Sequence, residues 1–422
     1  MTKRPARKPD VLILIYMKTL YRHYVANFQG LSKEIWLLSL VTFINRAGAM
    51  VIPFLSLYLV SEKGFSLPQV GWIMTGYGLG SLLGNWMGGK LTDRIGFYKT
   101  IVISLFLGGL GFISIQFIDS FEGLVIGLFG LMWAVDLYRP GIFVAADVYS
   151  KKENLTRSIG LIRLAINLGF SIGPVIGGIL IAHVSYNSIF WIDGGSCLLA
   201  SALLFVLLKP KKRDQNEEKE KVKAGKPPYR NSLYMLFLLI MVINSLVFVQ
   251  YFSTVPLYYQ EDRGLSEDVI GWLLFLNGAM IVLLEMPLIG WLERLGLTKT
   301  GAMIWGILFL AASFLVLNFS SGFWILIVGM ILMTLGEMIG SPFSNALAIA
   351  LSPEGRKGSY MGLYSMSWSL SHIIGHNGGM NLIDQFGFAN TWYIFFALLI
   401  VAVGLSIYLL RQLRKKDNFD SY

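Results

Sequence analysis

The sequence predicts an all-α polytopic membrane protein, with twelve transmembrane helices in two pseudo-symmetric six-helix bundles. Three observations carry that reading. Apolar residues make up 55% of the 422-residue chain and charged ones only 14%, against about 25% charged in soluble domains. Apolar runs long enough to cross a bilayer, about 20 residues, follow one another along nearly the whole length. The second half also repeats the first: GGKLTDRIGFYKT at 88–100 returns as LIGWLERLGLTKT at 288–300. Two or three soluble domains, which length alone would allow, are excluded.

Taken in order, the chain opens on a basic arm, 1–33. VLILIY within it is too short for a span, and no small-residue cleavage site follows. With Lys18, Arg22 and His23, the segment reads either as an amphipathic helix on the inner membrane surface or as a disordered basic arm. Residues 34–208 hold six spans, at 34–61, 68–90, 100–118, 123–148, 158–183 and 188–208. A linker of mixed charge, 209–231, ends in Gly225, Pro227 and Pro228 and reads as flexible and cytoplasmic. Residues 232–410 hold six more, at 232–259, 268–291, 300–319, 323–350, 359–382 and 391–410, before a tail at 411–422. Tyr58, Gly64, Ser66, Gly71 and Trp72 recur as Tyr258, Gly264, Ser266, Gly271 and Trp272. Further on, Pro140, Gly160, Gly173 and Gly177 recur as Pro342, Gly362, Gly375 and Gly379. A repeat of that length is a duplicated six-helix unit, with the substrate expected between the halves.

The net charge of +10 does not point to nucleic acid, because of where it sits. With the N-terminus inside, the cytoplasmic segments hold 30 of the 35 Lys and Arg, and the opposite side only Lys63 and Arg263. This positive-inside bias places both termini in the cytoplasm of a cell with the protein in its inner membrane. The lone Cys197 excludes an internal disulfide.

The polar elbow between spans two and three is the first candidate functional element. Gly89 and Gly96 permit a tight turn and close helix approach. Asp93 is placed to meet a helix N-terminus, where negative charge is favoured, while Arg94 and Lys99 stay in the basic layer. Glu293, Arg294, Gly296 and Lys299 repeat the elbow in the second half. A cross-bundle contact made only when the cytoplasmic side is shut would work as a gate latch. GKLTDRIGFYK resembles the loop motif of the major facilitator superfamily, Gly-x-Leu-Ala-Asp-Arg-x-Gly-Arg-Arg/Lys. Gly89, Leu91, Asp93, Arg94 and Gly96 match it, and Phe97 and Tyr98 replace its basic residues. The resemblance implies secondary transport by alternating access.

An ionisable side chain at the centre of a span costs about 2.5–3.5 kcal/mol on insertion scales, so each one calls for a reason. The candidates for proton coupling or substrate contact are Arg46, Asp136, Arg139, Arg163, Glu285 and Glu337. Asp136 and Arg139 share a helix face and can pair; Pro140, lacking an N–H, frees the Asp136 carbonyl and should bend span four. Arg163 is expected to snorkel towards the cytoplasm, and Glu285 to lie within reach of the same surface. Nothing basic lies within a helical turn of Glu337, which reads as a lone carboxyl suited to carrying a proton or receiving an amine. His372 and His376 share a face of span eleven, but no third ligand completes a metal site. Asn45, Asn167, Asn244, Asn277 and Tyr251 are either cavity groups or interhelical hydrogen bonders.

Two family resemblances then compete. In span five, Gly160, Gly169, Gly173, Pro174, Gly177 and Gly178 keep the spacing G-x8-G-x3-GP-xx-GG of the drug:proton antiporters, though the arginine usual in their span four would fall at Leu137 and the nearest is Arg139. Span ten is similar to the Gly-Glu…Ser-Pro stretch of proton-coupled oligopeptide transporters, at Glu337, Ser341 and Pro342. Their Glu-x-x-Glu-Arg in span one appears here as Thr42-x-x-Asn45-Arg46, without either proton-carrying glutamate. The favoured reading is proton antiport exporting small amphiphilic compounds or drugs. Di- and tripeptide symport is the alternative, and a membrane sensor the non-transport one. No nucleophile with a base and no phosphate-binding loop suggests an enzyme. No cofactor and no metal is expected; the partners are a small-molecule substrate, protons and the lipid bilayer, around a monomer.

Overall fold

The computed structural model describes residues 28–210, 226–265, 267–319 and 322–415. The amphipathic or disordered arm with Lys18, Arg22 and His23, most of the linker, Ser266 and the end of the tail lie outside the described residues, as do the side chains of His372 and His376. All regular structure among the described residues is helical. Ten helices are long and apolar enough to cross a membrane, and Leu67–Ile95 adds the second span. Its low hydropathy comes from a glycine stripe at Gly76, Gly80, Gly84 and Gly88. Each lies against a backbone carbonyl of span four, at Val125, Phe129, Trp133 and Leu137. Small residues every fourth position let the two backbones touch, a packing that lipid-facing leucines would prevent.

Three spans are split. Span one consists of Lys33–Ala47 and Val51–Ser61, with Gly48 to Met50 between them. Span four breaks at Leu137, between Phe121–Asp136 and Tyr138–Tyr149, where Pro140 removes the N–H that the Asp136 carbonyl would have used. Span seven, Ser232–Phe248 and Thr254–Glu261, is interrupted by a 3-10 turn at Val249–Phe252. Spans eight and ten run unbroken through Pro287 and Pro342.

Two connections differ from expectation. Span two runs on as helix to Ile95 instead of ending near 90, so the first elbow is the single residue Gly96, at φ 88°. Spans eleven and twelve form one element, Lys357–Arg414, bent only at Gly387 (φ 73°) instead of parted by a loop. In both places glycine supplies a left-handed conformation that other residues pay for in strain.

The two halves meet along spans two and five of the first and eleven and eight of the second. At the end bearing the basic loops the contact is backbone on backbone: Gly89 lies against Gly358 and Gly362, and a Cβ on Gly89 would stand 2.9 Å from the Gly362 Cα.

Candidate functional site

Arg163, Glu285 and Glu337 come together from spans five, eight and ten. The Arg163 Nε donates to Glu285 Oε1 at 3.0 Å, and Nη2 to Glu337 Oε1 at 3.3 Å. Asn277 Nδ2 donates to Glu337 Oε2 at 3.2 Å and to Thr334 at 3.1 Å. The Glu285 side chain is 0% exposed and that of Glu337 10%; the second oxygen of Glu285 has no hydrogen-bond partner. Glu337 also borders a small cavity of about 10 Å³ with Met241, Asn244 and Phe248, space for one water.

This corrects three expectations. Glu337 is not a lone carboxyl, Arg163 does not snorkel to the surface, and Glu285 is fully buried away from it. The reason is common to all three: the partner arrives from across the interface between halves, which no spacing along one helix reveals.

Asp136 heads a second group. It pairs with Arg139 at 3.5 Å and accepts a hydrogen bond from Ser81 of span two. Ser81 meets Ser369 of span eleven at 3.1 Å, and Asn85 Nδ2 donates to Ser369 at 3.0 Å. A polar chain thus joins span four to the second half through span two. Arg46 is buried with its guanidinium 5.8 Å from the Tyr138 ring centre and 5.4 Å from that of Phe170, and its Nε has no hydrogen-bond partner.

The span-five glycines grip the break in span one. A Cβ on Gly169 would meet the Arg46 Cβ at 2.5 Å, and one on Gly173 three carbonyl oxygens, of Ala47, Arg46 and Ala49, at 3.1–3.4 Å. Gly177 faces Met50 and Phe54, Gly178 only Phe54 at 3.7 Å, and Gly160 faces span eight at Ile289 and Met286. Pro174 sits inside this helix.

At the basic end the first elbow crosses between halves. Asp93 accepts from the backbone N–H of Gly358 at 2.7 Å and of Ser359 at 2.8 Å, and from the Ser359 hydroxyl. These are first-turn donors of span eleven, left without intrahelical partners and favouring a negative charge. Glu293 of the second elbow meets Arg157 at the start of span five at 3.0 Å, and Lys357 meets Asp147 at 2.6 Å. Arg94, Lys99 and Arg294 are exposed there; Gly296 turns the second elbow at φ 69°. At the opposite end, Lys63 with Asp119 and Arg263 with Asp262 each stay within one half.

The polar groups of the spans are mostly absorbed in packing: Asn45 donates to Cys197 at 3.1 Å and Tyr251 to the Gly329 carbonyl at 3.3 Å. Sequence reasoning passed over Asp193. It is 1% exposed in span six and accepts the Val51 N–H at 3.3 Å, capping the second half of span one, Val51–Ser61. The signal was there, a single acid in IFWIDGGSCLL.

Twelve spans in an all-helical membrane fold, with polar contacts joining the halves, fit a secondary transporter. The sequence model of the Major Facilitator Superfamily matches residues 35–266 and 238–421, and the chain belongs to that family. It is 24% identical to a Na(+), Li(+), K(+)/H(+) antiporter of Planococcus maritimus, covering 89% of this chain and 96% of that protein. It is 24% identical to the multidrug resistance protein MdtH of Aeromonas salmonicida, over 83% of this chain and 87% of that one. Among solved structures, a bacterial homologue of the iron transporter ferroportin, in an outward-facing state, shares the fold with a TM-score of 0.72 at 19% identity, covering 90% of this chain and 99% of that one. The protein is a multi-pass membrane transporter and not an enzyme.

Proposed function

We propose that the protein exports small amphiphilic cations in exchange for protons, with bundles 34–208 and 232–410 rocking about the linker 209–231 in the cell's inner membrane. The end with the basic loops, and both termini, face the cytoplasm. The observation that carries this is the triad. Two carboxylates share one guanidinium at the interface between the halves, so the site holds one negative charge in excess when both are ionised. Either a proton or a cationic substrate neutralises it, and burial disfavours holding both. That mutual exclusion is antiport.

Within the triad the roles differ. Glu285, wholly buried, holds Arg163; Glu337, partly exposed and backed by the neutral Asn277, exchanges the proton, with Asp136 a second acceptor. The contacts of Asp93, Glu293 and Lys357 between the halves support a role for them in closing the basic end. A proton entering from the opposite face reaches Glu337 and displaces the substrate outward. The halves then reorient, the elbow contacts part, and the proton leaves to the cytoplasm. The names of the multidrug and cation/proton relatives support the reading. A second one has an observation behind it too: the same excess charge would accept an alkali ion, which the Planococcus relative exchanges for protons. A peptide amine at Glu337 would first have to displace Arg163.

Purified protein in sealed liposomes with an internal pH dye tests this. A lipophilic cationic drug added outside should make the interior more alkaline, as protons leave while the drug enters, and Glu337→Gln should abolish the signal. Acidification on adding dipeptides would mean symport and end the exporter reading. Alkalinisation with alkali cations but not with drugs would favour the second one.

A further inference from the structure

We propose that Asp193 is a second proton-binding site, whose protonation unclasps the outer half of span one. The break at Gly48–Met50 leaves the N-terminus of Val51–Ser61 inside the protein, with first-turn N–H groups that need acceptors. No side chain of span one serves as its cap. Span six supplies it instead: Asp193 Oδ2 accepts from the Val51 N–H at 3.3 Å, while the Met50 N–H donates to the Gly48 carbonyl at 2.8 Å. Gly48 is pressed onto Ser196 one turn further along, with no room for a Cβ. The rest of this half-helix is held by apolar packing, with Val51, Leu55, Tyr58 and Leu59 buried against Phe190 and its neighbours. At its N-terminal end the polar hold is the Asp193 carboxylate, and just past its other end Lys63 pairs with Asp119.

The groups facing Asp193 leave the negative charge to do this. Arg46, on the other side of the same break and with its own Nε unpartnered, is the nearest cation. Cys197 lies 4.0 Å away on span six, and Tyr77 of span two is the other titratable neighbour. Span three meets the neighbouring Gly194 with Gly109 and Ile113. An ionised carboxylate caps a helix N-terminus through both charge and hydrogen bonds. Protonated, it keeps one weaker acceptor and turns its other oxygen into a donor with no acceptor among those N–H groups.

The second half is built differently at the same place. The turn Val249–Phe252 is closed from within span seven by Gln250. Its amide donates to the Gly375 and Leu246 carbonyls at 2.9 and 3.0 Å and accepts from Thr254 at 3.1 Å. The repeat puts Phe395 where Asp193 stands. A neutral amide does not titrate, so only the first half's outer segment responds to protons. A proton arriving from the face opposite the basic end would thus loosen the first turn of Val51–Ser61, the turn that Asp193 caps. The inference rests on the proton-coupled reading only for the source of the proton; the clasp itself involves no substrate.

Hydrogen exchange of the full chain in lipid, corrected for intrinsic rates, tests it between mildly alkaline and mildly acidic pH. Amides of 51–54 should exchange about fivefold faster on acidification, the effect of one lost cap, while 254–258 should not change. Asp193→Asn should remove the pH dependence and Asp193→Glu keep one. No dependence in the wild type, or the same dependence in Asp193→Asn, overturns the proposal. Should the Asn variant fail to accumulate, Asp193→Glu decides: an unmoved midpoint would mean that another group is titrating. Drug-driven alkalinisation measured in the same preparations separates the two readings, since its absence sinks the exporter and leaves the exchange result standing.

Discussion

Arg163 holds three helices with one guanidinium, and removing it should cost more than any single hydrogen bond. Arg163→Met strands Glu285, 0% exposed, without a counter-charge, and a broken buried pair costs about 3–5 kcal/mol. Thermal unfolding in detergent should show a large fall in midpoint, and adding Glu285→Gln should recover most of it. A midpoint as low in the double variant would mean that Arg163 acts through its packed stem and not through its charge. The charged residues of this triad were all legible in the sequence, because each interrupts an apolar run at a cost that demands a reason. Their pairing was not. Glu285 and Glu337 lie 122 and 174 residues beyond Arg163, and helical periodicity speaks only about neighbours three or four apart. The i,i+3 pair of Asp136 and Arg139, which it does address, is formed.

Span five shows what a helix motif is physically. Its glycines are spaced to receive a bent neighbour, so their substitution should be graded by the room each has. Gly169→Ala pushes a methyl to 2.5 Å from the Arg46 Cβ, Gly173→Ala to 3.1 Å from a carbonyl oxygen, and Gly178→Ala only to ordinary contact at 3.7 Å. Overpacking of the first kind costs about 1–3 kcal/mol. Transport and thermal stability in the three variants should fall in the order Gly169, Gly173, Gly178, with the last near wild type. Equal losses would show that the motif acts through helix flexibility and not through fit. Elements were largely legible, since apolar runs and the repeat give twelve spans. Their interruptions were legible only where a proline marks them, as Pro140 does; the breaks at Gly48–Met50 and Val249–Phe252 depend on groups from spans six and eleven.

At the scale of the molecule the two halves are held at the basic end by a few contacts that a reorientation must break together. Asp93 on the span-eleven N-terminus, Lys357 with Asp147 and Arg157 with Glu293 are each partly open to solvent. Each therefore contributes little, and the balance between states is sensitive to any one of them. A negative charge at a helix N-terminus is worth about 0.3–2 kcal/mol, and 1.4 kcal/mol is about tenfold in population. Asp93→Asn keeps the shape and one acceptor but removes the charge, so it should move the population towards states open at the basic end by up to about tenfold. Gly89→Ala should move it the same way for a steric reason, since its methyl would enter the backbone of span eleven. Paired spin labels on cysteines at the exposed positions Lys99 and Arg294, one in each half, would report this; native Cys197 is buried and does not compete for label. Longer distances in both variants would identify the elbow as the latch on this end. Unchanged distributions would mean that the triad, and not the elbow, sets which end is shut.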